Sequence, residues 1–491
     1  MNIIIGISVF LAILQSVLFW DKKPGISVFI FTLACVLYLI YILNKNKRIE
    51  NKKALIFIAP IILLSCTYFI FNNILFKALN AFVIVILGII MCVYLCNKKI
   101  KCPEFIKKIG YVIGGMFEET SEVIDYCKIP ESKGDKKTLT KLKKLGKALL
   151  IAIPVILIVL VLLMSADKVF KDIFDGIFLN LSKILSLKGI VNLASRFSVI
   201  LITFLLCGGF IVNLVKDHTM FTEERKETKT SIKFENLTIS MILTVLNIIY
   251  LIFSFIQITN LFIHTSNNPE FDYANYARQG FFQLMIVSFI NFIILIIANI
   301  NKIEKTKAQK VYNKIMSLLI VLFTIIIIIS AFYRMNLYQE TYGYTYLRIF
   351  VDFILITELL ISVPVIVFLL GRKVDLLKTS IIIVSFMYVL LNFMNIDNFI
   401  AEKNIDRYFG NQSKTNFDIN YLCDLGTDAT GEMVKLLKSE DEYIVKKVNN
   451  YLLNQKENLA LVNNSWQEYN ISKEKARKIL GEYNLKSNYY E

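Results

Sequence analysis

The chain has 491 residues, of which 56% are hydrophobic and only 19% are charged, and its mean hydropathy is +0.57. Soluble globular proteins carry more charge and less apolar surface, so this composition predicts a protein that uses a lipid bilayer as its solvent. It excludes a disordered chain, a collagen and a small disulfide scaffold. Eight cysteines without a metal-type CxxC and only two histidines also disfavour a disulfide framework and a metal centre, and no cofactor is predicted.

The chain carries a formal net charge of +16. A nucleic-acid-binding protein concentrates such an excess along one groove or face. Here the basic residues fall in short segments between apolar blocks, which is the pattern of cytoplasmic loops in an integral membrane protein. The predicted partner is therefore the lipid bilayer and not a nucleic acid.

The apolar blocks predict transmembrane helices. A helix needs about 20 mostly apolar residues to cross the hydrocarbon layer. The N-terminal block has neither a basic n-region nor a cleavage site, so we interpret it as a retained first span. Eleven spans are predicted: 2–20, 25–43, 54–71, 78–96, 147–165, 191–215, 237–260, 280–300, 312–333, 346–370 and 379–395.

The Lys and Arg residues between these spans predict their orientation. The loops on one side carry 31 of them, whereas the opposite short loops and span ends carry 10. Basic loops remain in the cytoplasm, so we expect the N-terminus inside and, after eleven spans, the tail outside. This is the topology of a multi-pass membrane protein. One missed or false helix would move the tail to the cytoplasm.

The resulting architecture is an all-α polytopic bundle with a small helical C-terminal domain. Residues 103–127 repeat apolar residues at helical spacing and fit an interfacial helix on the inner leaflet. Four parts are predicted along the chain: 1–96 with four transmembrane helices, 97–146 as a basic and amphipathic cytoplasmic loop, 147–395 as a seven-helix membrane domain, and 396–491 as an extracytoplasmic helical tail.

Ionisable residues within spans are costly in lipid and are therefore candidate functional residues. Arg348 and Asp352 in the tenth span are four residues apart and share a helical face, so they can pair as a structural or a functional ion pair. Glu358 lies deeper and has no partner in its own turn. It can take up a proton, pair with Arg196 of the sixth span, or simply be protonated.

A second cluster of polar residues lies at the outer ends of spans seven to ten. Most of its tyrosines fit an interfacial aromatic belt. The belt does not explain Arg278, Arg334 and Arg348, which lie on the side that is poor in basic residues. Their guanidinium groups can bind an anionic headgroup, a phosphate, or carboxylates of the tail such as Asp397 or Asp406. The candidate ligand-binding residues are Arg278, Arg334, Tyr338, Tyr342, Arg348 and Asp352.

This region contains one fairly specific segment, RMNLYQETYGYTYLR (334–348), and three supporting segments, YARQGFFQL (276–284), NIDNFIAEKNIDRY (395–408) and DINYLCDLGTDA (418–429). Together they resemble an uncharacterised bacterial membrane family, the domain of unknown function 4173, a relative of the domain of unknown function 4153. The resemblance runs from about residue 147 to the end. It implies a multi-pass inner-membrane protein with a helical C-terminal end and no established activity. The motif positions are Arg278, Arg334, Tyr338, Tyr342, Gly343, Arg348, Asn395, Asp397, Asn404 and Arg407, of which Asp397, Asn404 and Arg407 are candidates for docking of the tail.

No nucleotide-binding, dinucleotide-binding, zinc-protease or hydrolase motif occurs, which disfavours those enzyme classes. The leading hypothesis is therefore a non-enzymatic membrane protein that binds or moves an anionic or amphiphilic molecule at its outer face. The ligands considered are an anionic lipid or another envelope component. In this hypothesis, Asp352 orients Arg348, and the tail acts as a lid. Two alternatives stay open: an envelope sensor or scaffold whose tail binds a partner, and a polytopic transferase acting on a lipid-linked substrate. The sequence does not give an oligomeric state.

Overall fold

A computed structural model of the chain describes residues 1–97, 100, 102–126, 188–216, 236–263, 280–300, 306–410, 417–461, 465–483 and 485. All regular structure in these ranges is helical, and ten of the helices are long and apolar enough to cross a membrane. Each of the ten coincides with a predicted span, whereas the predicted span 147–165 lies outside the described residues. The predicted polytopic all-α bundle is confirmed, and the chain is a multi-pass membrane protein.

The first of two compact units comprises Met1–Ile70, Lys77–Thr222 and Asn463–Asn470. Its helices are α1 (Asn2–Phe19), α2 (Ile26–Lys45), α3 (Ile58–Ile70), α4 (Ile74–Leu95, in this unit from Lys77), α5 (Cys102–Glu118), α6 (Thr120–Tyr126) and α7 (Lys188–Val215). The central helix α7 packs against α1, α5 and α6, and α2 packs against α1 and α3. The described part of the predicted interfacial segment 103–127 forms α5 and α6.

The second unit comprises Phe71–Phe76, Glu223–Val462 and Ile471–Glu491. Short 3₁₀ turns join the smaller helices near its C-terminal end. Its helices are α8 (Asn236–Ile263), α9 (Phe281–Ile300), α10 (Lys307–Tyr342), α11 (Tyr346–Leu369), α12 (Leu376–Phe393), α13 (Ile396–Phe409), α14 (Ile419–Cys423), α15 (Thr430–Met433), α16 (Glu442–Leu461) and α17 (Ile471–Glu482).

The long helix α10 is the centre of the second unit and packs against α8, α9 and α11. Its 36 residues make it about 54 Å long, well beyond the roughly 30 Å of the hydrocarbon layer. Its first turn is capped by the Thr306 side chain, which accepts a hydrogen bond from the Gln309 N–H at 3.3 Å. It ends at Gly343, whose φ of 86° turns the chain into α11. The last turns of α10 therefore have the length to reach past the apolar layer.

The buried face of α11 explains how this helix joins the bundle. Val351, Leu355, Glu358, Ser362 and Val365 are buried and recur at alternating intervals of four and three residues. This spacing makes one continuous stripe along a helix, and small or polar residues in such a stripe let membrane helices approach closely. Glu358 thus faces the helix bundle and not the lipid.

The tail packs into the same core as α11 and α12. Ile349 of α11 and Leu391 of α12 belong to one cluster of buried side chains with Ile400 and Ile405 of α13 and Leu452 of α16. The helices after residue 396 are thus held by apolar burial within the second unit. The predicted four-part division of the chain, with a boundary at residue 396, stays a prediction.

Candidate functional site

A cavity of about 310 Å³ lies where α10 ends and α9 and α11 begin. Its size falls within the usual range of small-molecule sites. Most of its wall is apolar or aromatic, and one cation lies in it. The lining residues are Phe281, Met335, Tyr338, Thr345, Leu347 and Arg348.

Arg348 supplies the cation. Its guanidinium lies 4.2 Å from the centre of the Tyr338 ring, and Nη1 donates a hydrogen bond to the Gly343 carbonyl oxygen. Among the residues that the structure describes, no carboxylate lies within salt-bridge distance of this guanidinium. Because a guanidinium has five N–H donors, Arg348 keeps both a positive charge and donors for an anionic group in the cavity.

Aromatic rings hold Arg348 in place and shape the cavity. The ring of Tyr338 stacks on Phe281 at 6.1 Å and meets Tyr342 edge-on at 5.0 Å. Tyr342 contacts the Tyr338 ring but is not among the residues that line the cavity. Leu347 is 68% exposed, so the cavity opens beside an apolar side chain at the first turn of α11. An apolar mouth next to a cation suits an amphiphilic molecule.

Asp352 does not pair with Arg348 in the described structure, contrary to the predicted ion pair. Its Oδ2 accepts a hydrogen bond from the Gln339 side chain on α10. Helical side chains lean toward the N-terminus of their helix, so Arg348 reaches back to the Gly343 carbonyl and away from the next turn. The role assigned to Asp352, orienting Arg348, is taken by Gly343 and Tyr338.

Arg334 is buried and turned into the bundle. Its Nη2 donates to Oε1 of Gln257 on α8 at 2.9 Å, and Ser330 donates to the same oxygen at 2.9 Å. Arg334 is thus engaged between α8 and α10, whereas Arg348 lines the cavity. Arg278, the third predicted arginine, lies outside the described residues.

Two of the predicted tail residues bind the last turn of α10 and the segment that follows it. The Asn404 side chain accepts a hydrogen bond from the Tyr344 N–H and donates one to the Tyr344 carbonyl, both at 2.9 Å. Arg407 donates to the carbonyl oxygens of Glu340 at 2.7 Å and Thr341 at 3.0 Å. These contacts hold the backbone around Gly343, whose carbonyl oxygen accepts the hydrogen bond from Arg348.

Asp397 lies in a buried polar network and does not contact an arginine among the described residues. It is 1% exposed and accepts hydrogen bonds from the Asn73 side chain at 2.5 Å, the Tyr346 hydroxyl and the Gly426 N–H at 3.0 Å. Burial raises the pKa of its carboxyl, although the hydrogen bonds from Tyr346, Asn73 and Gly426 act against this shift. The carboxylate joins the 71–76 segment, α11, α13 and the turn before residue 427.

Glu358 and Arg196, two of the ionisable residues predicted within spans, each have a hydroxyl partner within their own unit. Glu358 is 5% exposed and lies within hydrogen-bond distance of the Ser288 hydroxyl on α9. In the first unit, Arg196 on α7 donates through Nε to the Ser16 hydroxyl at 2.8 Å. Neither contact has a local signature in the sequence, because each joins helices far apart along the chain.

Several residues of the site were not predicted from the sequence. Phe281, Met335 and Leu347 look like ordinary span residues, and no pattern singles them out as cavity walls. For Asn73 the sequence holds one weak indication of a structural role: it belongs to an Asn pair in the short connection between two spans. Among the described residues, no group of three or more His, Cys, Asp or Glu could hold a metal ion.

No curated protein and no solved structure matches the chain. The sequence does match a family over residues 58–436, which begins at the third span and includes α9 to α13. The match thus starts earlier than residue 147, where the resemblance predicted from sequence began, and ends at residue 436. Because it covers more than half of the sequence, the chain belongs to the family described as Domain of unknown function (DUF4153).

Proposed function

We propose that this membrane protein binds an anionic amphiphile in the cavity between the end of α10 and the start of α11. The observation that carries the proposal is the Arg348 guanidinium, which lies in the cavity wall with no carboxylate partner among the described residues. A cation in a largely apolar wall gains most from a bound anion. Arg348 therefore binds the anionic head, and Phe281, Met335 and Leu347 contact the apolar part.

The side of the membrane on which the cavity lies is part of the proposal. The excess of Lys and Arg in one set of loops, 31 against 10, supports a cytoplasmic N-terminus and an outward-facing cavity. The motif around 334–348 also supports a closer relationship to the bacterial domain of unknown function 4173. We thus propose a bacterial cell-membrane protein whose tail, bound to residues 340–344, holds the turn beside the cavity.

Reporter fusions after Glu491 test this orientation. With an odd number of spans and the N-terminus inside, we expect activity from a reporter that works only outside the cytoplasm. A parallel fusion to a reporter that works only in the cytoplasm is the control and should be inactive. The reverse pattern would place the tail in the cytoplasm and remove the outward-facing cavity from the proposal.

The binding proposal is tested with purified full-length protein and three probes. They are dodecyl phosphate, inorganic phosphate and the neutral detergent dodecyl maltoside. We expect saturable binding of dodecyl phosphate, with Arg348→Gln weakening it by about 10- to 100-fold, because hydrogen bonds to charged groups contribute about 1.5–3 kcal/mol. Isothermal titration calorimetry measures the dissociation constants.

The control variant is Arg372→Gln, which removes an exposed arginine just beyond the other end of α11. It should leave dodecyl phosphate binding unchanged. Equal affinity for inorganic phosphate and dodecyl phosphate would show that the apolar wall contributes nothing and that the site binds a soluble anion. Equal binding by Arg348→Gln and the unmodified protein would refute the proposed site.

A further variant tests the apolar part of the cavity. Leu347→Ser removes an apolar side chain from the mouth of the cavity and leaves Arg348 in place. We expect it to weaken dodecyl phosphate binding by about 3- to 10-fold, since burying a leucine side chain contributes up to about 2 kcal/mol. The weak affinity for inorganic phosphate should not change. The sensor and transferase alternatives stay predictions, because no contact in the described structure favours either over binding.

A further inference from the structure

Glu358 lies near the middle of a membrane-spanning helix. It is about 18 Å along the α11 axis from Tyr346, at 1.5 Å per residue, and the hydrocarbon layer is about 30 Å thick. It belongs to the buried stripe of α11, between Leu355 and Ser362. An ionised carboxylate at this depth is costly unless a cation or several donors compensate its charge.

In the part of the chain that the structure describes, the helices packed against α11 offer Glu358 no compensating charge. Helix α9 has no titratable residue between Phe281 and Ile300. On α10, the titratable residues nearest in depth to Glu358 are Tyr333 and Arg334, more than two turns from its C-terminal end, and Arg334 donates to Gln257 of α8. On α12, the titratable residues are Lys378 in the first turn and Tyr388. Within the described residues, none of these groups forms an ion pair or hydrogen bond with Glu358.

The hydrogen-bond partners of Ser288 indicate the protonation state of Glu358. The Ser288 hydroxyl lies 2.7 Å from the Met285 carbonyl oxygen and also within hydrogen-bond distance of Oε2 of Glu358. A hydroxyl has one hydrogen, and a carbonyl oxygen only accepts. If Glu358 were ionised, two acceptors would compete for that hydrogen. If Glu358 is protonated, it donates to Ser288 Oγ while Ser288 donates to Met285, and both contacts are satisfied.

We propose that Glu358 is a proton-binding site, held as a neutral carboxylic acid that donates to Ser288 when the protein is folded at neutral pH. This inference goes beyond ligand binding at Arg348 and does not depend on it. Loss of the proton would require the Ser288 hydroxyl to turn from the Met285 carbonyl to the carboxylate. Proton binding is thereby linked to the contact between α9 and α11.

Infrared difference spectroscopy of the full-length protein in lipid tests the proposal. The carbonyl stretching band of a protonated carboxylic acid lies apart from that of a carboxylate and from the amide bands. We expect Glu358→Gln at neutral pH to remove an acid band and to leave the carboxylate bands unchanged. The control Asp352→Asn, six residues away in the same helix, should leave the Glu358 acid band in place.

A second variant keeps the test informative if Glu358→Gln does not fold. Ser288→Ala removes the acceptor of the acid proton, so the same acid band should remain and shift to higher frequency, as for a carboxylic acid with a weaker hydrogen bond. The proposal is overturned if Glu358→Gln removes a carboxylate band, or if Ser288→Ala leaves every acid band unshifted.

Discussion

Replacing Asp397 with alanine should lower the free energy of unfolding by about 4 kcal/mol. The carboxylate accepts hydrogen bonds from the Asn73 side chain, the Tyr346 hydroxyl and the Gly426 N–H, in a site that is 1% exposed. A buried donor left without an acceptor costs about 1–3 kcal/mol, and the three donors come from separate segments of the chain. Unfolding by SDS titration in mixed micelles measures the change.

The isosteric Asp397→Asn variant should lose about half as much. Its amide oxygen can still accept from Asn73 and Tyr346, whereas its NH₂ group faces the Gly426 N–H. The matched control is Asp406→Ala, an exposed aspartate on the same helix α13, which should change stability by less than about 0.5 kcal/mol. If Asp397→Ala were as mild as Asp406→Ala, the polar network would not hold the tail to α11.

Gly343→Ala should lower the free energy of unfolding by about 3 kcal/mol. Gly343 has φ of 86° and ψ of 178°, a region that residues with a Cβ atom rarely adopt and that costs them about 1–3 kcal/mol. A Cβ atom here would also lie 2.7 Å from Nη1 of Arg407 and in close contact with Asn404. The same SDS titration, applied to the purified variant, measures the loss of unfolding free energy.

Gly371→Ala separates backbone strain from crowding. Gly371 has a similar φ of 94°, but no atom lies within 4 Å of the point where its Cβ atom would be placed. We expect the Gly343 variant to lose more stability than the Gly371 variant, because a Cβ atom at Gly343 would clash with Asn404 and Arg407 of the tail, whereas one at Gly371 would meet no atom. Equal losses would mean that Asn404 and Arg407 do not constrain this turn.

The Gly343→Ala variant also bears on the cavity, because Gly343 joins the tail to Arg348. Asn404 and Arg407 fix the backbone of residues 340–344, and the Gly343 carbonyl accepts a hydrogen bond from Arg348. Folding of the tail onto this turn therefore sets the position of the guanidinium. A variant that loosens the turn should weaken ligand binding even though it leaves the cavity wall unchanged.

The helices could be predicted from the sequence because each span is a long apolar run, and lipid permits few other backbone arrangements. The sequence also directed attention to residues 334–348, since arginines are scarce in the short loops opposite the basic ones. Their partners were not visible. Spacing alone suggested that Arg348 pairs with Asp352, but Gln339 lies across on α10 and competes for the carboxylate.

The network of Asp397 shows the same limit over a longer distance. Its partners Asn73 and Gly426 are separated by most of the chain, and no helical period or local motif connects them. The cavity wall was equally hidden, because Phe281, Met335 and Leu347 are apolar residues in apolar segments. Tertiary packing brings these residues together, and a single sequence does not record that packing.

Photo-crosslinking tests the central claim, that the cavity at Arg348 holds an anionic amphiphile, most directly. The probe is an alkyl phosphate with a diazirine in its chain, added to the full-length protein in lipid, and peptide mass spectrometry locates the crosslinks. The account predicts crosslinks to Phe281, Met335 or Leu347 that excess dodecyl phosphate suppresses and that Arg348→Gln reduces. Crosslinks that spread over the lipid-facing helices and are unaffected by Arg348→Gln would contradict it.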